Sequence, residues 1–204
     1  MKPIIPLTAI IVYLLMILGI YFNIIPDPLI IIEYIKSIDG NVIYLIMFFI
    51  ILLESIVYLG LYLPGQFIAV LLVVSYAKGL HDIVYLTIIS IFAVTIGAFI
   101  NYYLGYFLSS NSRKQSKIDY KKLFLSLIHI NTIALFIFDQ GTKKSPSKIV
   151  YLTGLLNLPY YFLIIMVTFL LQDEIIMVSE KSYIVFSLLL IWLIYSLFNN
   201  KKEN

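Results

Sequence analysis

Apolar residues fill long blocks of this chain, and polar residues gather in short interruptions between them. Leu7 to Ile25 is the first block, 19 residues after a single Lys2. A cleaved signal peptide has a shorter apolar core followed by a small-residue site. This segment is therefore expected to stay as a first membrane helix. Residues 26–41, PDPLIIIEYIKSIDGN, open on Pro26 and Pro28 and close on Gly40-Asn41. Their apolar Ile31, Ile32 and Ile35 alternate with Glu33, Lys36 and Asp39 as in a short amphipathic interfacial helix. Ile83 to Leu108 is the clearest span, 26 residues without a charge.

Between these lies a block whose lengths do not fit two ordinary spans. Val42 to Leu63 is long enough to cross, but Phe67 to Tyr76 is only ten residues. At 1.5 Å per residue that is roughly half of a hydrocarbon layer about 30 Å thick. Residues 42–77 are therefore predicted to be a re-entrant hairpin turned by Pro64-Gly65. Glu54, Tyr58 and Tyr62 recur every four residues and would share one helix face. The second half repeats the theme over residues 123–156. Leu123 to Phe138 is apolar but short, residues 139–148 read DQGTKKSPSK, and Ile149 to Leu156 is a brief apolar piece broken by Gly154. Gly141 and Pro146 are the expected breakers there. Asn157 and Pro159 signal the start of a further helix, over 158–171. An acidic loop follows at 172–182, and Tyr183 to Phe198 is the last span before NNKKEN.

Composition agrees with this pattern. The chain is 62% apolar and 12% charged, against about 45–50% and about 25% in soluble domains. Its mean hydropathy is +1.01. The expected fold class is all-α: a polytopic membrane protein with two inverted repeats. Each repeat is a re-entrant hairpin plus a transmembrane helix, flanked by N- and C-terminal transmembrane helices. The parts are 1–41, a core over 42–175, and 183–204. No room is left for a soluble catalytic domain, and the absence of cysteine removes disulfide and thiol chemistry.

Charge placement sets a topology. With both termini in the cytoplasm of a plasma-membrane protein, the basic loop 109–122 is inside. It carries Arg113, Lys114, Lys117, Lys121 and Lys122 against Asp119. Of 14 Lys and Arg residues only Lys36, Lys78 and Lys181 then fall outside, as the positive-inside rule requires. Two full spans in place of either hairpin would keep the same parity. That loop needs no nucleic acid to explain it, although anionic headgroups could contact it.

Candidate chemistry centres on Glu54, a lone carboxylate within an apolar segment and near a helix breaker. Such a group costs roughly 2.5–3.5 kcal/mol at a membrane helix centre and marks a functional site by default. The structural alternative is a protonated carboxyl bonded to Tyr58 or to a carbonyl at the Pro64-Gly65 break. Gln66 could orient a headgroup or simply pack. Asp139 is the other candidate titratable group. Lys143, Lys144 and Lys148 could attract phosphate as point charges or form an ordinary cytoplasmic loop. Gly97, Asn101 and Gly105, at i, i+4 and i+8, form a stripe suited to helix packing. His81 and His129 stand apart, so neither a metal nor a cofactor is expected. There is no His-Glu-x-x-His and no Gly-x-Ser-x-Gly, so no enzyme is expected.

These residues resemble the DedA family, also described as SNARE-associated or VTT-domain proteins. The family pairs a Glu with a following Pro-Gly-acid motif, matched here by Glu54 and Leu63-Pro64-Gly65-Gln66. Its next helix is matched by AVTIGAFINYYLGYF at Gly97, Tyr102, Leu104 and Gly105, and a later glycine by Gly154. The resemblance covers roughly residues 40–175. Gln66, Ala98 and Tyr106 stand where the family has an acid, an acid and an arginine. The Arg-x-x-Pro-x-x-Arg element has no clean counterpart near Asp139, Gln140, Lys143, Lys144, Pro146 and Lys148. The resemblance implies a lipid transporter of the flippase or scramblase type, with polyprenyl phosphate or phospholipid as cargo. Its expected partners are membrane lipids through their phosphates, with a homo-oligomer left open. A proton-coupled ion or solute transporter and a membrane-assembly scaffold are the competing readings.

Overall fold

A computed structural model describes residues 4–63, 65–109, 118, 120–127 and 130–200. Pro64, Arg113, Lys114, Lys117, Asp119, His129, Lys201 and Lys202 lie outside the described residues. Described elements are all helical. Among the described residues three helices, Ile4–Tyr21, Leu80–Leu108 and Lys148–Leu170, are long and apolar enough to cross a membrane. A fourth candidate joins the last two helices of the chain across a bend of 90°. These apolar helices suit a membrane protein.

The chain divides into two compact units, residues 1–34 with 171–204, and residues 35–170. In the smaller unit α1 (Ile4–Tyr21) packs on α10 (Ser182–Asn200), and α9 (Gln172–Glu180) precedes α10. α1 stops in a Schellman turn. Asn23 takes a left-handed φ of 56°, and the Ile24 and Asn23 N–H groups donate to Gly19 and Ile20 carbonyls at 2.8 and 2.9 Å. Asparagine tolerates that conformation better than most residues. The expected acidic loop at 172–182 is mostly helix α9, with Asp173 and Glu174 in the first turn, where acids favour the helix dipole. A short α2 (Pro28–Lys36) lies within the expected amphipathic stretch.

The larger unit is built around α5 (Leu80–Leu108), against which α3 (Gly40–Ser55), α7 (Ile130–Thr142) and α8 (Lys148–Leu170) all pack. α4 (Gly65–Tyr76) and α6 (Tyr120–Ser126) complete it. α3 and α4 form an antiparallel hairpin: Gly40, which opens α3, lies against the Tyr76 hydroxyl that closes α4, and Gly65 lies against Glu54. With 16 and 12 residues, they reach about 24 and 18 Å, short of a full crossing. At the hairpin's open end the Tyr44 hydroxyl donates to Asp82, which also accepts the Lys78 N–H at 2.9 Å.

Three expectations need correction. α3 ends at Ser55 rather than Leu63, so Glu54, Tyr58 and Tyr62 do not share a helix face. Tyr58 takes a φ of 71°, and Tyr58 and Tyr62 are exposed. The cause is tertiary, because the α5 side chain of Asn101 captures the backbone just after Ser55. The second hairpin is also drawn differently from 123–156. The apolar arm 123–138 is divided between α6 and α7, and Gly141 sits inside α7 rather than at a break. Finally, 149–156 and 158–171 are not separate elements but one helix, α8, running through Gly154 and Pro159 to Leu170. Gly154 is needed for contact with Thr95 rather than as a stop. Interior proline is tolerated in apolar helices whose neighbours re-satisfy the freed backbone.

Candidate functional site

The first break follows Ser55. Ile56 is extended, with φ −84° and ψ 129°, which frees the Ser55 carbonyl and the Val57 N–H from helical bonding. The Asn101 amide takes both. Its Nδ2 donates to Ser55 O at 2.7 Å, and its Oδ1 accepts the Val57 N–H at 2.8 Å. Asn101 is completely buried. A primary amide can donate and accept at once, and so replaces a lost pair of backbone bonds. Gly97, one turn earlier on α5, leaves room for the Ser55 hydroxyl. Beyond a short 3-10 turn at Leu59–Leu61, Asn131 of α7 donates to Gly60 O at 3.3 Å. The interruption is thus bonded by protein.

Glu54 is the penultimate residue of α3 and is 4% exposed. Its carboxylate lies against Gly65, where any side chain would collide with it, and close to the Gln66 backbone N–H. The acid therefore sits at the N-terminus of α4, whose dipole favours negative charge. Oε2 has no hydrogen-bond partner, and no cation pairs with the group among the described residues. Gln66 turns its side chain outward from that point, and its Nε2 donates to the Tyr160 hydroxyl of α8 at 2.8 Å. Tyr161, next in line, is 2% exposed and its hydroxyl has no partner. Both tyrosines lie within electrostatic reach of Glu54. A cavity of about 20 Å³ lies between α3, α4 and α8, bordered by Met47, Ile51, Gln66, Ala69, Tyr160 and Tyr161.

No family model, curated protein or solved structure matches the chain.

The second break lies between α7 and α8. α7 closes in a Schellman motif: the Lys144 N–H donates to Gly141 O at 2.9 Å, and the Ser145 N–H to Gln140 O at 3.1 Å. Glycine usually fills the left-handed position of this motif, yet here Lys144 holds a φ of 51°. Its ammonium lies 5.5 Å from the ring centroid of Tyr106, a cation–π distance. Tyr102 donates to the Ser145 carbonyl and ties the turn to α5. Pro146 and Ser147 lead into Lys148, the first residue of α8. Tyr102, Tyr106, Lys144, Ser145, Ser147 and Lys148 border an open hollow of about 600 Å³. Two cations and the positive end of a helix dipole give that hollow a preference for anions.

Asp139 and Lys143 do not join the hollow. They form an ion pair one turn apart on α7 and its end, with side chains 45% and 36% exposed. Asp139 is not brought to Glu54. Gly105 and Gly141 face each other's helices: Gly105 meets the Phe138 carbonyl, and Gly141 meets the Tyr102 carbonyl. α5 and α7 cross closely there because neither residue has a side chain. No cluster of three His, Asp or Glu residues suited to a metal occurs among the described residues.

The pattern of apolar blocks gave no sign of Tyr160, Tyr161 or Ser145, and Tyr102 stood out only as a motif position. Tyr160 and Tyr161 belong to an apolar span, and only packing brings them beside residues about a hundred positions away. Asn101 stood out as part of a small-residue stripe, but its amide chemistry at the break depends on a partner strand of backbone 44–46 residues earlier.

Proposed function

We propose that this chain is a membrane lipid transporter of the flippase or scramblase type, acting on a lipid phosphate, and a divergent relative of the DedA family. One observation carries the reading: Glu54 is buried, with no cation beside it among the described residues and one oxygen unpartnered, where two helices too short to cross meet. A protein gains nothing in stability from such a group, since an unpaired buried carboxylate is expensive. A carboxyl in this position can take up and release a proton as its surroundings change. α3 and α4 act as a re-entrant hairpin, α6 and α7 with the start of α8 form its inverted counterpart, and α5 joins them. Lys144 and Lys148, at the mouth of α8, attract the phosphate while the lipid tails stay in the bilayer.

Asp139 weakens the competing ion-transporter reading. That mechanism needs a second buried titratable group, and Asp139 is half exposed and paired with Lys143. The test is headgroup translocation in proteoliposomes with a fluorescent phospholipid and a labelled polyprenyl phosphate, with and without a pH gradient. Movement of at least one lipid above protein-free vesicles is expected, and movement of neither overturns the reading.

A further inference from the structure

Tyrosines on α5 stand only near its ends, at Tyr85 and at Tyr102, Tyr103 and Tyr106, and the aromatic residues between them are Phe92 and Phe99. Tyr106 is 21 positions after Tyr85, about 32 Å along the helix, against a hydrocarbon layer about 30 Å thick. Tyrosine favours the two boundaries of that layer, where its ring stays dry and its hydroxyl meets water or headgroups. Each end of α5 also gathers polar groups. The Tyr85 ring lies 4.4 Å from that of His81 and 6.0 Å from that of Tyr44, whose hydroxyl donates to Asp82. Tyr106 lies under Lys144, and Lys148 borders the same hollow. For an α5 that crosses a membrane, these two ends set its two faces.

The first break falls close to the second of these faces, across the layer from the open end of its own hairpin. Asn101, which holds Ser55 and Val57, is five residues before Tyr106, about 7.5 Å along the axis. Tyr58 follows Val57 directly, and Tyr58 and Tyr62 flank the 3-10 turn. They are 61% and 86% exposed. A phenol hydroxyl left in hydrocarbon without a partner is costly, whereas the headgroup layer supplies donors and acceptors. We propose that residues 56–62 are an anchor seated in the headgroup layer of the leaflet that faces Lys144 and Lys148, with the Tyr58 and Tyr62 hydroxyls among its phosphates and glycerols. The two lysines at this end of α5 match the charge of those phosphates. α3 and α4 stop short of a full crossing, and the tip that joins them completes it. Both breaks then face one leaflet, so a single headgroup layer meets Tyr58, Tyr62 and the lysine hollow. The assignment requires a chain in a membrane but not lipid transport, so the failure of one can be told from the failure of the other.

The experiment uses single cysteines, which report without background because the chain has none of its own. Ser147→Cys marks the proposed face, His81→Cys the opposite one, and Phe92→Cys the hydrocarbon between; all three positions are exposed. A membrane-impermeant maleimide is added to either side of uniformly oriented vesicles of phosphatidylcholine and phosphatidylglycerol that hold the full chain. Tyr58→Cys and Tyr62→Cys should label from the Ser147 side, roughly tenfold or more faster than Phe92→Cys, because the reactive thiolate does not form in hydrocarbon. Labelling from the His81 side would put the tip in a cavity open to the opposite face and overturn the assignment. Labelling as slow as at Phe92→Cys would mean that hydrocarbon or a second copy of the chain covers the tip, and would overturn it as well. Tyr62→Trp in a Trp192→Phe background keeps a ring at the tip and reads its depth separately, since Trp192 is the sole tryptophan. Its fluorescence should be quenched more by lipids brominated near the glycerol than by lipids brominated at the chain end, and the reverse order contradicts the anchor.

Discussion

After Ser55 the chain leaves a helix in buried surroundings, whereas after Thr142 it leaves one at the rim of an open hollow. At the first break α5 supplies Asn101, a neutral amide that replaces two backbone hydrogen bonds. At the second the helix closes on its own carbonyls in a Schellman motif, and α5 adds a Tyr102 hydroxyl bond and a Tyr106 ring. Both breaks hold a residue other than glycine at positive φ, Tyr58 at 71° and Lys144 at 51°. α5 shows why they differ. Asp82 meets the open end of the first hairpin, and Asn101 lies 19 residues on, roughly 28 Å along the helix. Tyr106 and Lys144 lie one to two turns further, at the end of α5. Charge is tolerated where water reaches it, so the lysines gather at the second break. The first keeps a single buried carboxyl, Glu54.

Breaking the first junction should have the largest effect. Asn101→Leu strands the Ser55 carbonyl and the Val57 N–H, each worth about 1–3 kcal/mol when buried and unpaired. A loss of about 3 kcal/mol is expected in denaturant unfolding in detergent, and a loss below about 0.5 kcal/mol would show that the break is bonded some other way. At the second junction the sign reverses. Lys144→Gly relieves a left-handed conformation that costs an L-residue about 1–2 kcal/mol. It should raise stability by about 1 kcal/mol in the same assay, and a decrease would mean that the Tyr106 contact outweighs the strain. Asp139→Asn removes a half-exposed pair one turn apart and should change stability by only about 0.3–0.5 kcal/mol, checked by thermal unfolding at low and high salt.

The helical class and apolar character of the chain were legible from block lengths alone. Leu80–Leu108 lies within three residues of its predicted start, because 26 uncharged residues admit no other reading. The end of α3 was not legible. Ile56, Val57 and Tyr58 are as compatible with a membrane helix as the residues before them, and only Asn101 stops the helix there. Pro159 misled in the other direction, since local rules for helix starts are weaker in an apolar bundle than in water. Glu54 was visible as a lone charge in an apolar run. Its surroundings were not, because Gln66, Tyr160 and Tyr161 join it only through the packing of α4 and α8.

In the proposed function the two breaks divide one task, the buried carboxyl handling the proton and the lysine turn holding the phosphate. The most direct test compares pH-gradient-driven movement of a labelled polyprenyl phosphate in proteoliposomes containing the native chain, Glu54→Gln or Lys144→Gly. The account expects Glu54→Gln to lose the gradient dependence at unchanged lipid affinity, and Lys144→Gly to keep the gradient dependence but require more lipid for half-maximal rate. Gradient dependence that survives Glu54→Gln, or a lipid affinity untouched by Lys144→Gly, would contradict that division.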